Sequence, residues 1–193
     1  YDTYLQPNGS FYAVRKACNP LHAIYRYGFD DIFIANEDLL DAENITVKIK
    51  VFDINSNEIF ADEWNGSVKT NISKPIYEIP EIKNLTSVYF LDLRVFDKDN
   101  NEVDNSIYWL STKKDEIDWE AAKKLPWPFY SPSKQYADFT ALDKLAKVEL
   151  DYEYAFEKDA ENGLVTLKVT NPSSTIAFFT FFDLIDSVNE KPI

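Results

Sequence analysis

Carboxylates are the reactive side chains this sequence holds in quantity: 33 Asp and Glu stand against 20 Lys and Arg, with one histidine and one cysteine. A single histidine, His22, would have to serve alone in any Ser-His-Asp triad and leaves nothing for a multi-histidine metal site. Its setting, Pro20-Leu21-His22-Ala23-Ile24, reads as the start of a strand. Cys18, the one cysteine, allows neither an internal disulfide nor a thiolate zinc cluster. Acid-catalysed cleavage of a glycosidic bond uses two carboxyl groups about 5–9.5 Å apart. The densest local group of acids, Glu116, Asp118 and Glu120, reads instead as the solvated start of a helix. Four glycines supply no phosphate-cradling loop. No catalytic residue, cofactor or metal site is assigned from these patterns.

Two further patterns bear on binding. Asp97, Asp99 and Asn101 have the D-x-D-x-N opening of an EF-hand loop, but the sixth and twelfth positions hold Glu102 and Tyr108 in place of Gly and Glu. The segment echoes Val51-Phe52-Asp53-Ile54-Asn55-Ser56-Asn57-Glu58-Ile59, so two hairpin turns built on Asp and Asn are expected. Aromatic residues cluster at Trp119, Trp127, Phe129 and Tyr130, beside prolines. Exposed, such rings stack on the apolar face of a pyranose; buried, they join two β units. Inter-unit packing is the expectation for the cluster, and Trp119, Trp127 and Tyr130 are the candidate sugar contacts. Five N-glycosylation sequons begin at Asn8, Asn44, Asn65, Asn71 and Asn84, and matter only in a eukaryotic secretory pathway.

The elements that must position these residues are mainly β-strands. Asn8 or Ser10 caps a short helix through Phe11, Val14, Ala17 and Cys18, which Pro20 ends. From Ile24 the apolar period becomes two, and strands are predicted at Ala23–Tyr25, around Ile32 and Ile34, at Ile45–Val51, Ile59–Val68, Ile76–Ile79, Tyr89–Phe96 and Ile107–Leu110. Seven strands at this spacing predict an immunoglobulin-like β-sandwich over 24–111. Tyr89, Leu91, Leu93 and Val95 are expected in the core, with Asp92 and Arg94 facing water. Residues 112–146 form a helical and irregular joint, with one short helix through Trp119–Leu125 and another covering Phe139, Leu142 and Leu145. Beyond it, 147–193 predicts a second, partial β-sandwich of three strands: Leu150–Phe156, a return strand through Val165–Val169 after an Asn162-Gly163 turn, and Ile176–Phe182. Its remaining strands are expected beyond Ile193, and Tyr1-Asp2-Thr3-Tyr4 reads as a cut from something longer. The net charge of −13 argues against nucleic-acid and anionic-membrane partners, which need a basic face. No apolar run approaches the length of a bilayer span.

The wording of three stretches resembles glycoside hydrolase family 2, in its exo-β-glucosaminidase and β-mannosidase-like branch. They are Tyr4-Leu5-Gln6-Pro7-Asn8-Gly9-Ser10-Phe11-Tyr12 running on through Lys16-Ala17-Cys18-Asn19-Pro20-Leu21-His22, then Tyr108-Trp109-Leu110-Ser111 with Asp118-Trp119 and 133–142, then 165–179. The resemblance implies a multi-domain retaining enzyme that cuts β-linked sugars from non-reducing ends, with both catalytic glutamates in a barrel outside these residues. Residues 1–23 would be the tail helix of that barrel. The chain would be a non-catalytic accessory region whose partners are the parent's own catalytic barrel and neighbouring domains, and a β-linked oligosaccharide. The alternative is a stand-alone carbohydrate-binding or adhesion module.

Overall fold

Period-two alternation between residues 21 and 111 produces seven strands in a computed structural model, which describes residues 7–126, 131–158 and 163–182. They are β1 Leu21–Arg26, β2 Asp31–Asn36, β3 Ala42–Asp53, β4 Glu58–Val68, β5 Ile72–Glu78, β6 Val88–Phe96 and β7 Glu102–Ser111. Two antiparallel sheets result, ordered β1-β2-β5 and β4-β3-β6-β7. The core lies between them. Ala23, Tyr25, Ile32 and Ile34 enter it from the first sheet, and Ile45, Val47, Ile49, Val51, Leu91, Leu93 and Val95 from the second. This is the immunoglobulin-like arrangement predicted from the spacing of the strands.

Both open edges of the sandwich are closed by polar side chains. Between β1 and β7, His22 Nδ1 lies 2.8 Å from Asp104 Oδ2 and the Tyr25 amide donates to the Tyr108 hydroxyl at 3.2 Å. Between β4 and β5, the Tyr77 hydroxyl donates to Asp62, and the Lys74 ammonium sits 5.3 Å from the centre of the Trp64 ring. Gly66, two residues along β4, leaves room for that indole: a Cβ there would come within 2.3 Å of the ring.

The expectation that Asp92 faces water is corrected. Asp92 is only 8% exposed, and Phe90, on the same outward face of β6, is 1% exposed. β6 is central in its sheet, so its outward residues are flanked by large neighbours: Phe52 and Trp109 stand opposite Phe90, while Lys50 and Ile107 stand opposite Asp92. Arg94 Nε donates to Asp92 Oδ2 at 2.8 Å, and no described residue bonds Oδ1. Tyr89, expected inside, is half-buried against the core margin.

Ahead of the sandwich, α1 spans Gly9–Ala17, with Asn8 Oδ1 accepting from the Phe11 amide and Arg15 and Lys16 in its last turn. After it, β8 (Glu116–Ile117) pairs with β9 (Ser133–Gln135), a ribbon the sequence did not announce. The two predicted joint helices are shorter and tighter than expected. α2 covers only Trp119–Ala122, capped by Asp118, and the second is a 3₁₀ turn at Thr140–Lys144. The returning chain is latched to the end of β7: Gln135 Nε2 donates to the Lys114 carbonyl and the Ala137 amide to Asp115.

Residues through Asp143 form one compact unit and those from Lys144 a second. The second holds a hairpin of β10 (Asp151–Lys158) and β11 (Gly163–Thr170). Tyr152, Tyr154 and Phe156 lie opposite Val169, Leu167 and Val165, so one face is apolar, while Glu153 pairs with Lys168 on the other. The expected turn at Asn162 lies outside the described residues. Ile176–Phe182 is not the expected third strand. Asn171 folds the chain through bonds to Ser173 and Thr175, and Phe179 adopts φ 57°, which breaks an extended run.

Candidate functional site

The acids of the connector are committed locally. Asp118 Oδ1 accepts the Ala121 amide at 2.9 Å as the cap of α2. Glu120 pairs with Lys123 at 2.8 Å and Glu116 with Lys134 at 3.6 Å. Trp119 stands among them, 63% exposed, lining a hollow of about 540 Å³ with Asp115, Glu116, Ile117, Glu120 and Lys134. Trp127 and Tyr130, the other candidate sugar contacts, lie outside the described residues.

The two echoing turns share one geometry. Asp53 Oδ1 accepts the amides of Asn55 and Asn57, and Asp97 Oδ1 those of Asp99 and Asn101. Ser56 and Asn100 hold φ of 70° and 62°. The carboxylates thus face backbone donors, as in hairpin turns rather than a calcium loop. Among the described residues no group of three potential ligands converges on one point.

His22 is a structural residue. Its ring is nearly buried in β1, and the Asp104 side chain it meets is 0% exposed. Asp104 also accepts Asn19 Nδ2 at 2.8 Å and the Ala23 amide at 3.4 Å. Burial alone would raise the Asp104 pKa, but the bonds from His22 and Asn19 outweigh it and hold the group below its ordinary value.

One constellation is barely foreshadowed along the chain. At one end of the sandwich β1 and β7 bring Tyr25, Tyr27 and Tyr108 together edge to face, with ring centres 5.1, 5.6 and 6.0 Å apart. The Tyr25 hydroxyl donates to Asp30 at 2.6 Å, and Lys114 Nζ reaches both Asp30 oxygens at 2.8 and 3.0 Å. Two adjoining cavities, of about 520 and 250 Å³, share Tyr25, Tyr89, Leu110 and Lys114 as a common wall. Burial, and then the bond to Asp30, push the Tyr25 phenol far above its usual range. Burial would raise Asp30, yet the bonds from Lys114 and Tyr25 carry it below its ordinary value, so the carboxylate is charged. These residues are scattered between positions 25 and 139, and only the sandwich topology gathers them. The one local signal is Tyr25-Arg26-Tyr27, whose rings recur at the strand period.

Comparison with known proteins gives these surfaces a family setting. Residues 31–115 match the model of the mannosidase Ig/CBM-like domain and 128–193 that of the exo-β-D-glucosaminidase Ig-fold domain. The exo-β-D-glucosaminidase of Amycolatopsis orientalis is 26% identical over 100% of this chain and 19% of its own length. That of Hypocrea jecorina is 28% identical over 97% of this chain and 21% of its own. The crystal structure of Amycolatopsis orientalis exo-chitosanase CsxA superposes with a TM-score of 0.89 at 25% identity, over 100% of this chain and 23% of that one. The chain therefore spans about a fifth of the length of the curated relatives it matches. Two sandwich-domain models matched in sequence order, with relatives of one kind aligned along the chain, lead to one conclusion: over its whole length the chain is similar to the immunoglobulin-fold domains of exo-β-D-glucosaminidases.

Proposed function

We propose that this chain serves a retaining glycosidase as a non-catalytic segment that braces the catalytic barrel, and that the whole enzyme removes β-linked glucosamine from non-reducing ends. The observation that carries this reading is the ordered match of both sandwich models, with exo-β-D-glucosaminidases aligned along 97–100% of the chain. Glucosaminide is favoured over mannoside because the relatives aligned along the chain are exo-β-D-glucosaminidases. The partners in this reading are the barrel and neighbouring domains, with α1 as the tail helix of the barrel, the sandwich of β1–β7 as the brace, the residues after β7 as connector and the unit from Lys144 as part of the next sandwich.

The test is a comparison of aryl β-D-glucosaminide and aryl β-D-mannoside hydrolysis by the longer protein containing this segment. Preference for the glucosaminide supports the reading; preference for the mannoside, or activity on neither, contradicts it. A second reading, carbohydrate contact at the connector through Trp119, Trp127 and Tyr130, is favoured by the exposed indole of Trp119 beside Glu116 and Glu120. Oligosaccharide binding that weakens in Trp119→Ala, with thermal stability unchanged, supports it. Unchanged binding removes it.

A further inference from the structure

We infer that the tyrosine-walled cavities at the end of the sandwich form a binding site for an aminated pyranose. Four observations support this. The larger cavity, of about 520 Å³, has the size of a small-molecule site, and the adjoining one of about 250 Å³ extends it with a mixed polar and apolar lining. Their wall is aromatic, and Tyr27 is 63% exposed, so a ring face is open for stacking. Tyr89 lines both cavities, and its hydroxyl makes no hydrogen bond among the described residues, which leaves a donor and an acceptor for a sugar hydroxyl.

The fourth observation is charge. Asp30, Glu81 and Asp115 line the two cavities against one cation, Lys114. A ring bearing an ammonium group is attracted both by this surplus of carboxylate and by the faces of the tyrosines. A neutral sugar gains only the stacking and the hydrogen bond to Tyr89. The amine discriminates.

The choice of glucosamine among aminated sugars rests on the proposed β-glucosaminidase reading; the preference for an ammonium rests on the cavity alone. The experiment is a calorimetric or NMR titration of this chain with glucosamine hydrochloride at pH 6, with mannose and N-acetylglucosamine as neutral probes. Saturable glucosamine binding is expected, at least tenfold tighter than either neutral sugar. Tyr27→Ala should weaken it about tenfold by removing one ring. Asp30→Asn should weaken it as well, and Lys114→Ala, which releases Asp30 from its ion pair, should strengthen it. Thermal melts establish that each variant is folded. Absence of saturable glucosamine binding, equal affinity for the neutral sugars, or weaker binding in folded Lys114→Ala would overturn the inference. Binding that tracks Trp119 instead would also overturn it. The titration needs no turnover, so its outcome stands even if the parent enzyme proves to cleave another glycoside.

Discussion

His22 and Asp104 face each other across the seam where β1 meets β7, and this pair shows how the chain uses its single imidazole. Removing one partner of a buried hydrogen-bonded carboxylate leaves the other unsatisfied, at a cost of about 1–3 kcal/mol. Asp104→Asn keeps the shape and loses the charge. Because the folded pKa of Asp104 is depressed below its ordinary value of 3.8, its contribution is fully present at neutral pH. It disappears as the pH falls below about 4 and through the folded value. Urea unfolding at pH 7, 4 and 3 should show wild type above Asp104→Asn at pH 7, with the gap narrowing toward pH 3. A gap that widens in acid would contradict this. Asp92 illustrates what alternation misses: its strand position predicts exposure, but large cross-strand neighbours enclose it, and no count of residues along β6 reveals them.

At the scale of the element, long strands were legible because each has one apolar face: Ile45, Val47, Ile49 and Val51 on β3 announce both the strand and its buried side. Short connector elements were not legible, since α2 is set by one cap and the β8–β9 ribbon by bonds to the end of β7. The stretch 176–182 has strand-like composition, yet the bonds of Asn171 and the turn at Phe179 override it. Trp64 and Gly66 form a unit at the β4–β5 edge, so Gly66→Ala must displace the indole from beside Lys74. A loss of about 1–3 kcal/mol in urea unfolding is expected from such overpacking. Leu93→Ala, at the centre of the core, should cost about 2–5 kcal/mol. The β10–β11 hairpin is a two-stranded sheet with exposed Tyr152, Tyr154 and Phe156. Sheets of this size are marginal alone. Its amides should exchange with deuterium well before those of β3 and β6. Equal protection would show that the hairpin unfolds only with the sandwich.

For the whole molecule, the acidic balance and the paucity of histidine and cysteine exclude classes of function without naming one. The family resemblance came from ordered stretches of sequence, and the aligned relatives support it. The tyrosine cavity was illegible because its walls come from β1, β6, β7 and the connector, dozens of residues apart. In the proposed role these 193 residues support a glycosidase without performing its chemistry. That role is tested most directly by incubating the isolated chain with an aryl β-D-glucosaminide and an aryl β-D-mannoside. No release above the buffer rate is expected with either. Release that a single Asp→Asn or Glu→Gln substitution within this chain abolishes would contradict it.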